Sequence, residues 1–98
     1  MDNVNHPCHY ADSCSVECID VMQLIFGSGN LAMYCLMNAF KYLWRHERKN
    51  KEEDIKKAKW YLNKITELEM DYRWKEERKT LEMLVNKAGE KYEKEVNE

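Results

Sequence analysis

Two segments of this chain each carry two stripes rather than one. Asn38-Ala39-Phe40-Lys41-Tyr42-Leu43-Trp44-Arg45 is followed, across a short polar break, by Asp54-Ile55-Lys56-Lys57-Ala58-Lys59-Trp60-Tyr61-Leu62. At about 3.6 residues per turn, Leu36, Phe40 and Leu43 fall on one side of the first segment while Asn38, Lys41 and Arg45 line another. In the second, Ile55, Ala58, Leu62 and Ile65 form an apolar stripe, and Asp54, Lys57, Tyr61 and Lys64 a polar one at the same spacing. Helices with a cationic stripe beside an apolar one can bind an anion as well as pack. An antiparallel hairpin closed through Phe40, Leu43, Ile55, Ala58 and Leu62 is expected to line a groove with Lys41, Arg45 and Lys57.

The remainder of the chain favours the same class. Its 98 residues are 44% hydrophobic and 35% charged, with three Gly and one Pro, which points to an all-α fold rather than a sandwich or a disordered tail. No apolar run approaches the roughly 18 residues that span a membrane, and residues 1–20 lack the basic start and apolar centre of a signal peptide. A cytoplasmic protein without a membrane partner is expected.

The net charge of −2 conceals a segregation. Residues 1–40 carry four acids and no Lys or Arg, residues 41–59 carry eight bases and four acids, and residues 60–98 carry eight bases and ten acids. Positive charge is therefore concentrated where the two striped helices meet. A sequence pI of about 5.9 favours a small anionic ligand over a long nucleic acid, which calls for a basic face and a high pI.

Along the chain, residues 1–14 read as an N-terminal arm, 15–70 as a helical core and 71–98 as a C-terminal helix that serves as an oligomerisation element. A first helix is expected from about Ser15, its cap, to Phe26, burying Ile19, Met22, Ile25 and Phe26. Gly27-Ser28-Gly29-Asn30 then breaks the helical pattern, with Asn30 capping a second helix from about Leu31 to Glu47. Asn50 and Glu53 read as a capping box for a third, from Lys51 to about Glu69. A bend is expected between Asp71 and Thr80, after which Leu81, Val85, Ala88, Tyr92 and Val96 resume the apolar rhythm in another phase. That last segment either folds back on the core or pairs with another subunit. The shortness of the first three helices favours a homo-oligomer built on it.

Several residue clusters invite chemistry. Cys8, Cys14 and Cys18, with His6 and His9, could supply soft metal ligands, but their spacing fits no common zinc pattern, and free thiols are the plainer reading. Glu17 and Asp20, at i and i+3, share one helical face and are candidate Mg2+ ligands, or ion-pair partners for Lys41, Arg45 or Lys57. His6, His9 and Tyr10 could close over a ligand, or the arm could be purely structural. Trp44 and Trp60 read as core rather than as a cofactor platform.

The succession His6-Pro7-Cys8-His9-Tyr10, Glu17-Cys18-Ile19-Asp20-Val21, Tyr34 to Arg45 and Asp54 to Leu62 resembles the SaV-like family of small bacteriophage proteins over about residues 5–65. Where that family usually has Gly before the Asn of the second helix and Ile before Lys-Tyr, this chain has Met37 and Phe40. Members are often labelled nucleotide kinase, so the resemblance implies a phage protein acting on, or binding, nucleotides in the cytoplasm of a bacterial host. Phosphoryl transfer usually needs a phosphate cradle such as G-x-x-x-x-G-K-[ST] with Mg2+ ligands, and Gly27-Ser28-Gly29 is too short and lacks the lysine. The leading expectation is therefore binding and sequestration of a nucleotide or cyclic nucleotide, with His6, His9, Tyr10, Asn38, Lys41, Arg45, Lys57 and Tyr61 as ligand residues. A nucleotide kinase or phosphohydrolase is the alternative, and a helical interaction module without nucleotide the third.

Overall fold

A computed structural model describes residues 17–97. The arm, with His6, Cys8, His9, Tyr10 and Cys14, and the cap expected at Ser15 lie outside them. Within them the chain is all-α: α1 is Cys18–Phe26, α2 Ser28–Arg45, α3 Glu52–Glu67 and α4 Lys75–Asn97. No helix among the described residues is long and apolar enough to cross a membrane.

Helix α1 is capped by Glu17, whose side chain accepts the backbone N–H of Asp20, while the Asp20 carboxylate accepts the Glu17 N–H at 3.4 Å. This reciprocal pair satisfies donors that the helix start leaves open. Ile19 is buried and Met22 partly so, but Ile25 and Phe26, expected on the buried stripe, are exposed. The helix has only nine residues, and the chain turns away after Phe26.

Gly27 makes that turn alone, at φ 87°, a value open to glycine at little cost. Helix α2 consequently begins at Ser28, three residues before the expected start. Asn30 does not cap it; its amide donates to the Phe26 carbonyl at 2.9 Å and so closes the end of α1.

Helices α2 and α3 form the hairpin expected. Leu31, Ala32, Cys35, Leu36 and Ala39 meet Ile55, Ala58, Leu62 and Ile65 in one core. Each fully buried large aliphatic side chain contributes about 1.5–3 kcal/mol. Phe40 was expected at this joint and is instead exposed. The small Ala39 takes the inward position, fully buried, and the next residue along the helix turns outward. Trp44 likewise faces solvent rather than the core. The expected Asn50–Glu53 box is replaced by Asp54, which accepts both the Asn50 backbone N–H at 3.2 Å and its side-chain amide at 3.3 Å. Lys51, at φ 52°, occupies the cap position without a side-chain cap bond, so no reciprocal pair forms there.

After α3 the chain reverses through residues 68–74, with Glu69 and Trp74 at positive φ. Helix α4 then folds back on α3 and α2. Leu81, Val85 and Tyr92 are buried and Ala88 packs beside them. Gly89 permits a close approach: a Cβ there would meet Ile55 Cγ2 at 3.4 Å. Of the two arrangements the sequence left open, the structure adopts the folded-back one. The seam thought to need a second subunit is filled within the chain, so it gives no reason for one.

Candidate functional site

The side of α2 that faces α3 carries Tyr34, Asn38 and Tyr42, each one turn after the last. The ring of Tyr42 stacks with that of Tyr61 from α3, with centroids 5.9 Å apart and planes 11° apart. Tyr34 and Trp60 meet Tyr61 edge-on, at 6.1 and 5.0 Å. Edge-to-face and offset pairs of this kind are the favoured aromatic geometries.

Three cations surround this cluster. Lys41 Nζ lies 5.0 Å, Arg45 Cζ 4.8 Å and Lys57 Nζ 5.5 Å from the Tyr42 ring centre, within the range of a cation–π attraction. The convergence of Lys41, Arg45 and Lys57 expected from the stripes is therefore present, with Tyr61 beside it and Asn38 half-buried on the same side of α2. The hub, Tyr42, was not anticipated. Its signal was its position, adjacent to Lys41 and three residues before Arg45, where a ring serves both.

The three cations are not equivalent. Arg45 Nε and Nη2 donate to Asp54 Oδ2 and Oδ1 at 3.1 and 3.3 Å, a two-pronged pair onto a carboxylate with no exposed surface. Burial by itself would raise the Asp54 pKa, but the hydrogen bonds from Arg45 and then Asn50 outweigh it and hold the carboxyl below its ordinary 3.8. The same bond raises the pKa of Arg45. Arg45 is thus a brace between α2 and α3, and not the free anion ligand that its stripe suggested. Its Nη1 makes no hydrogen bond among the described residues and remains open to a ligand. Lys57 pairs with Glu53 at 3.7 Å, a surface contact of small worth. Lys41 has no carboxylate partner among the described residues.

Spacing puts Asp54 on the polar stripe of α3, yet it is buried, because nothing in local spacing reveals that Arg45 reaches across the turn. Tyr61 is pushed above its ordinary pKa, first by burial and then by Tyr34 and Tyr42. It stays a neutral phenol and offers a ring face or a hydroxyl, not a base.

Glu17 and Asp20 do not join this site, and their ion pairs with Lys41, Arg45 or Lys57 do not form: Arg45 goes to Asp54 and Lys57 to Glu53. As a Mg2+ pair they fit poorly. Both carboxylates accept backbone N–H groups at the positive end of α1, where the helix dipole opposes a cation. No group of three or more His, Cys, Asp or Glu that could hold a metal occurs among the described residues. His6, His9 and Tyr10 lie outside them.

A family model described as protein of unknown function, DUF3310, matches residues 4–63. The chain belongs to that family. The DUF3310 match takes in α1, α2 and α3 as far as Asn63, and hence Tyr34, Asn38, Lys41, Tyr42, Arg45, Asp54, Lys57 and Tyr61; α4 lies beyond it. No curated protein and no solved structure matches the chain.

Proposed function

We propose that this chain binds a nucleotide or nucleotide-derived signal in the groove between α2 and α3 and withholds it, as a phage protein in the cytoplasm of its bacterial host. The observation that carries this reading is the arrival of Lys41, Arg45 and Lys57 at one aromatic ring. Phosphate oxygens suit Lys41, which has no carboxylate of its own among the described residues, Lys57, and the open Nη1 of Arg45. Charge-assisted contacts of this kind contribute about 1.5–3 kcal/mol each.

Asp54 holds the Arg45 guanidinium in place before a ligand arrives, which lowers the ordering cost of binding. Tyr34, Tyr42 and Tyr61 supply π-faces and hydroxyls beside the cations, and stacking of a base on such a surface contributes about 1–3 kcal/mol. Asn38 would read a base edge. His6, His9 and Tyr10 would close the arm over the ligand.

Binding without turnover is favoured over phosphoryl transfer by the glycine segment. Gly27 is spent on the turn, and Gly29 lies within α2 with the Arg73 guanidinium against it. A phosphate-cradling loop of that kind also needs a lysine directly after its last glycine, and no lysine lies between Gly27 and Phe40.

The test is incubation of the protein with a panel of mono-, tri- and cyclic nucleotides, followed by chromatography of bound and released material. Unchanged ligand recovered after denaturation supports the reading. A new product would make the protein an enzyme, and retention of nothing would leave the helical interaction module.

A further inference from the structure

The charge of the groove limits what it can take. Lys41, Arg45 and Lys57 lie 4.8 to 5.5 Å from one point, the centre of the Tyr42 ring. Cations gathered on one point suit one compact anion, whereas an extended polyphosphate needs them spread along its length.

Two of the three positive charges are already answered. Asp54 takes the Arg45 guanidinium on both its oxygens, and Glu53 stands 3.7 Å from Lys57. The three cations of the groove therefore face two carboxylates among the described residues, and the charge of Lys41 is left over. Glu53 is half-exposed, so a second negative group reaching for Lys57 meets a like charge beside it.

Asp54 is also saturated. Its Oδ2 accepts Arg45 Nε and the Asn50 backbone N–H, and its Oδ1 accepts Arg45 Nη2 and the Asn50 side-chain amide. Those bonds fill the roughly four lone-pair sites of a carboxylate. Polyphosphates commonly arrive with Mg2+ that a protein carboxylate helps to hold, and the acid that grips Arg45 has no lone pair left to give.

We propose that this groove selects a phosphodiester: a nucleoside whose phosphate is esterified twice, in a ring on its own ribose or in a link to a second nucleoside. This rests on the nucleotide reading above and narrows it. A diester phosphate carries one negative charge, which matches the one left over at Lys41. A terminal phosphate carries about 1.5 to 2, and each further phosphate adds charge that the groove does not balance.

The test is calorimetric titration of the full chain with one base in four forms: the 3′,5′-cyclic monophosphate, the dinucleoside monophosphate, the 5′-monophosphate and the 5′-triphosphate with and without Mg2+. An adenine series and a guanine series are both run. At least one diester should bind about tenfold more tightly than the triphosphate, because uncompensated charge is repelled at close range, with the 5′-monophosphate between them. Which diester is the tighter separates the ring-closed ligand from the linear one. Glu53→Gln, an exposed change that should leave the circular dichroism spectrum intact, removes one of the two carboxylates. It should strengthen binding of the 5′-monophosphate at least threefold more than that of the better diester, a shift in preference that a merely structural role of Glu53 would not produce. A triphosphate or 5′-monophosphate bound as tightly as either diester, or a preference unmoved by Glu53→Gln, would overturn this inference while leaving the nucleotide reading in place. Binding of none of the four forms in either series would remove both.

Discussion

The end of α2 is tied to its neighbours by two joints of opposite character. Toward α3 the tie is a charge taken out of water: Arg45 grips the fully buried Asp54, with Asn50 completing its hydrogen bonds. Toward α4 the buried tie is mostly apolar, with the Lys91–Glu47 pair at its exposed edge. Val85 and Leu81 pack on the core, and His46 shares a 2.6 Å hydrogen bond with Tyr92, both buried. The difference shows where function and stability overlap. The charged joint supplies the Arg45 whose guanidinium reaches Tyr42, so the candidate site is part of the fold's own bracing. The apolar joint holds α4, the element beyond the family match, as a backing.

The largest expected effect follows from breaking the charged joint. Asp54→Ala leaves Arg45 without its partner and Asn50 with unmet donors, and should lower stability by about 3 kcal/mol, read by urea or thermal unfolding. A loss no greater than that of a surface substitution would erase the distinction between the joints. Val85→Ala removes two buried methyl groups from the other joint and should cost about 2 kcal/mol. Its nucleotide retention should stay at the wild-type level, and a parallel loss of binding would show that α4 is no mere backing. Lys41→Ala should reverse the pattern, with stability changed by less than about 0.5 kcal/mol and nucleotide affinity reduced by about 1.5 kcal/mol, roughly tenfold. Titration calorimetry beside a melting curve separates the two.

Acid should act on the charged joint. The Asp54 carboxyl titrates below its ordinary 3.8 in the folded chain, so its contribution is fully present above that value. As pH falls below 3.8 the unfolded chain takes up the proton first, and the contribution is lost progressively until the folded carboxyl titrates too. Thermal unfolding followed downward through this range should show a steeper decline for the wild type than for Asp54→Asn. The smallest signal is chemical. Burial pushes the Cys35 thiol up to about 12, only slightly opposed by Lys64, whereas Cys18 is exposed. Alkylation at neutral pH with peptide mapping should modify Cys18 and spare Cys35 until the chain unfolds.

Much of this molecule could be read along the chain, because helical period is a local property. The stripes of residues 36–45 and 55–65 were enough to place α2 against α3 and to bring Lys41, Arg45 and Lys57 to one groove, since a residue's side of a helix depends only on counting. What counting cannot supply is the rotation of one helix about its axis relative to the next. That rotation turned Ala39 inward and Phe40 and Trp44 outward, carried Asp54 beneath Arg45, and made Tyr42 the point on which three cations close. It also decided that α4 fills its seam within the chain while Met37, Phe40 and Trp44 on α2 stay exposed. Sequence determined which residues share a face; only tertiary packing decided which faces meet, because burial and ion pairing depend on contacts between segments that local spacing does not encode.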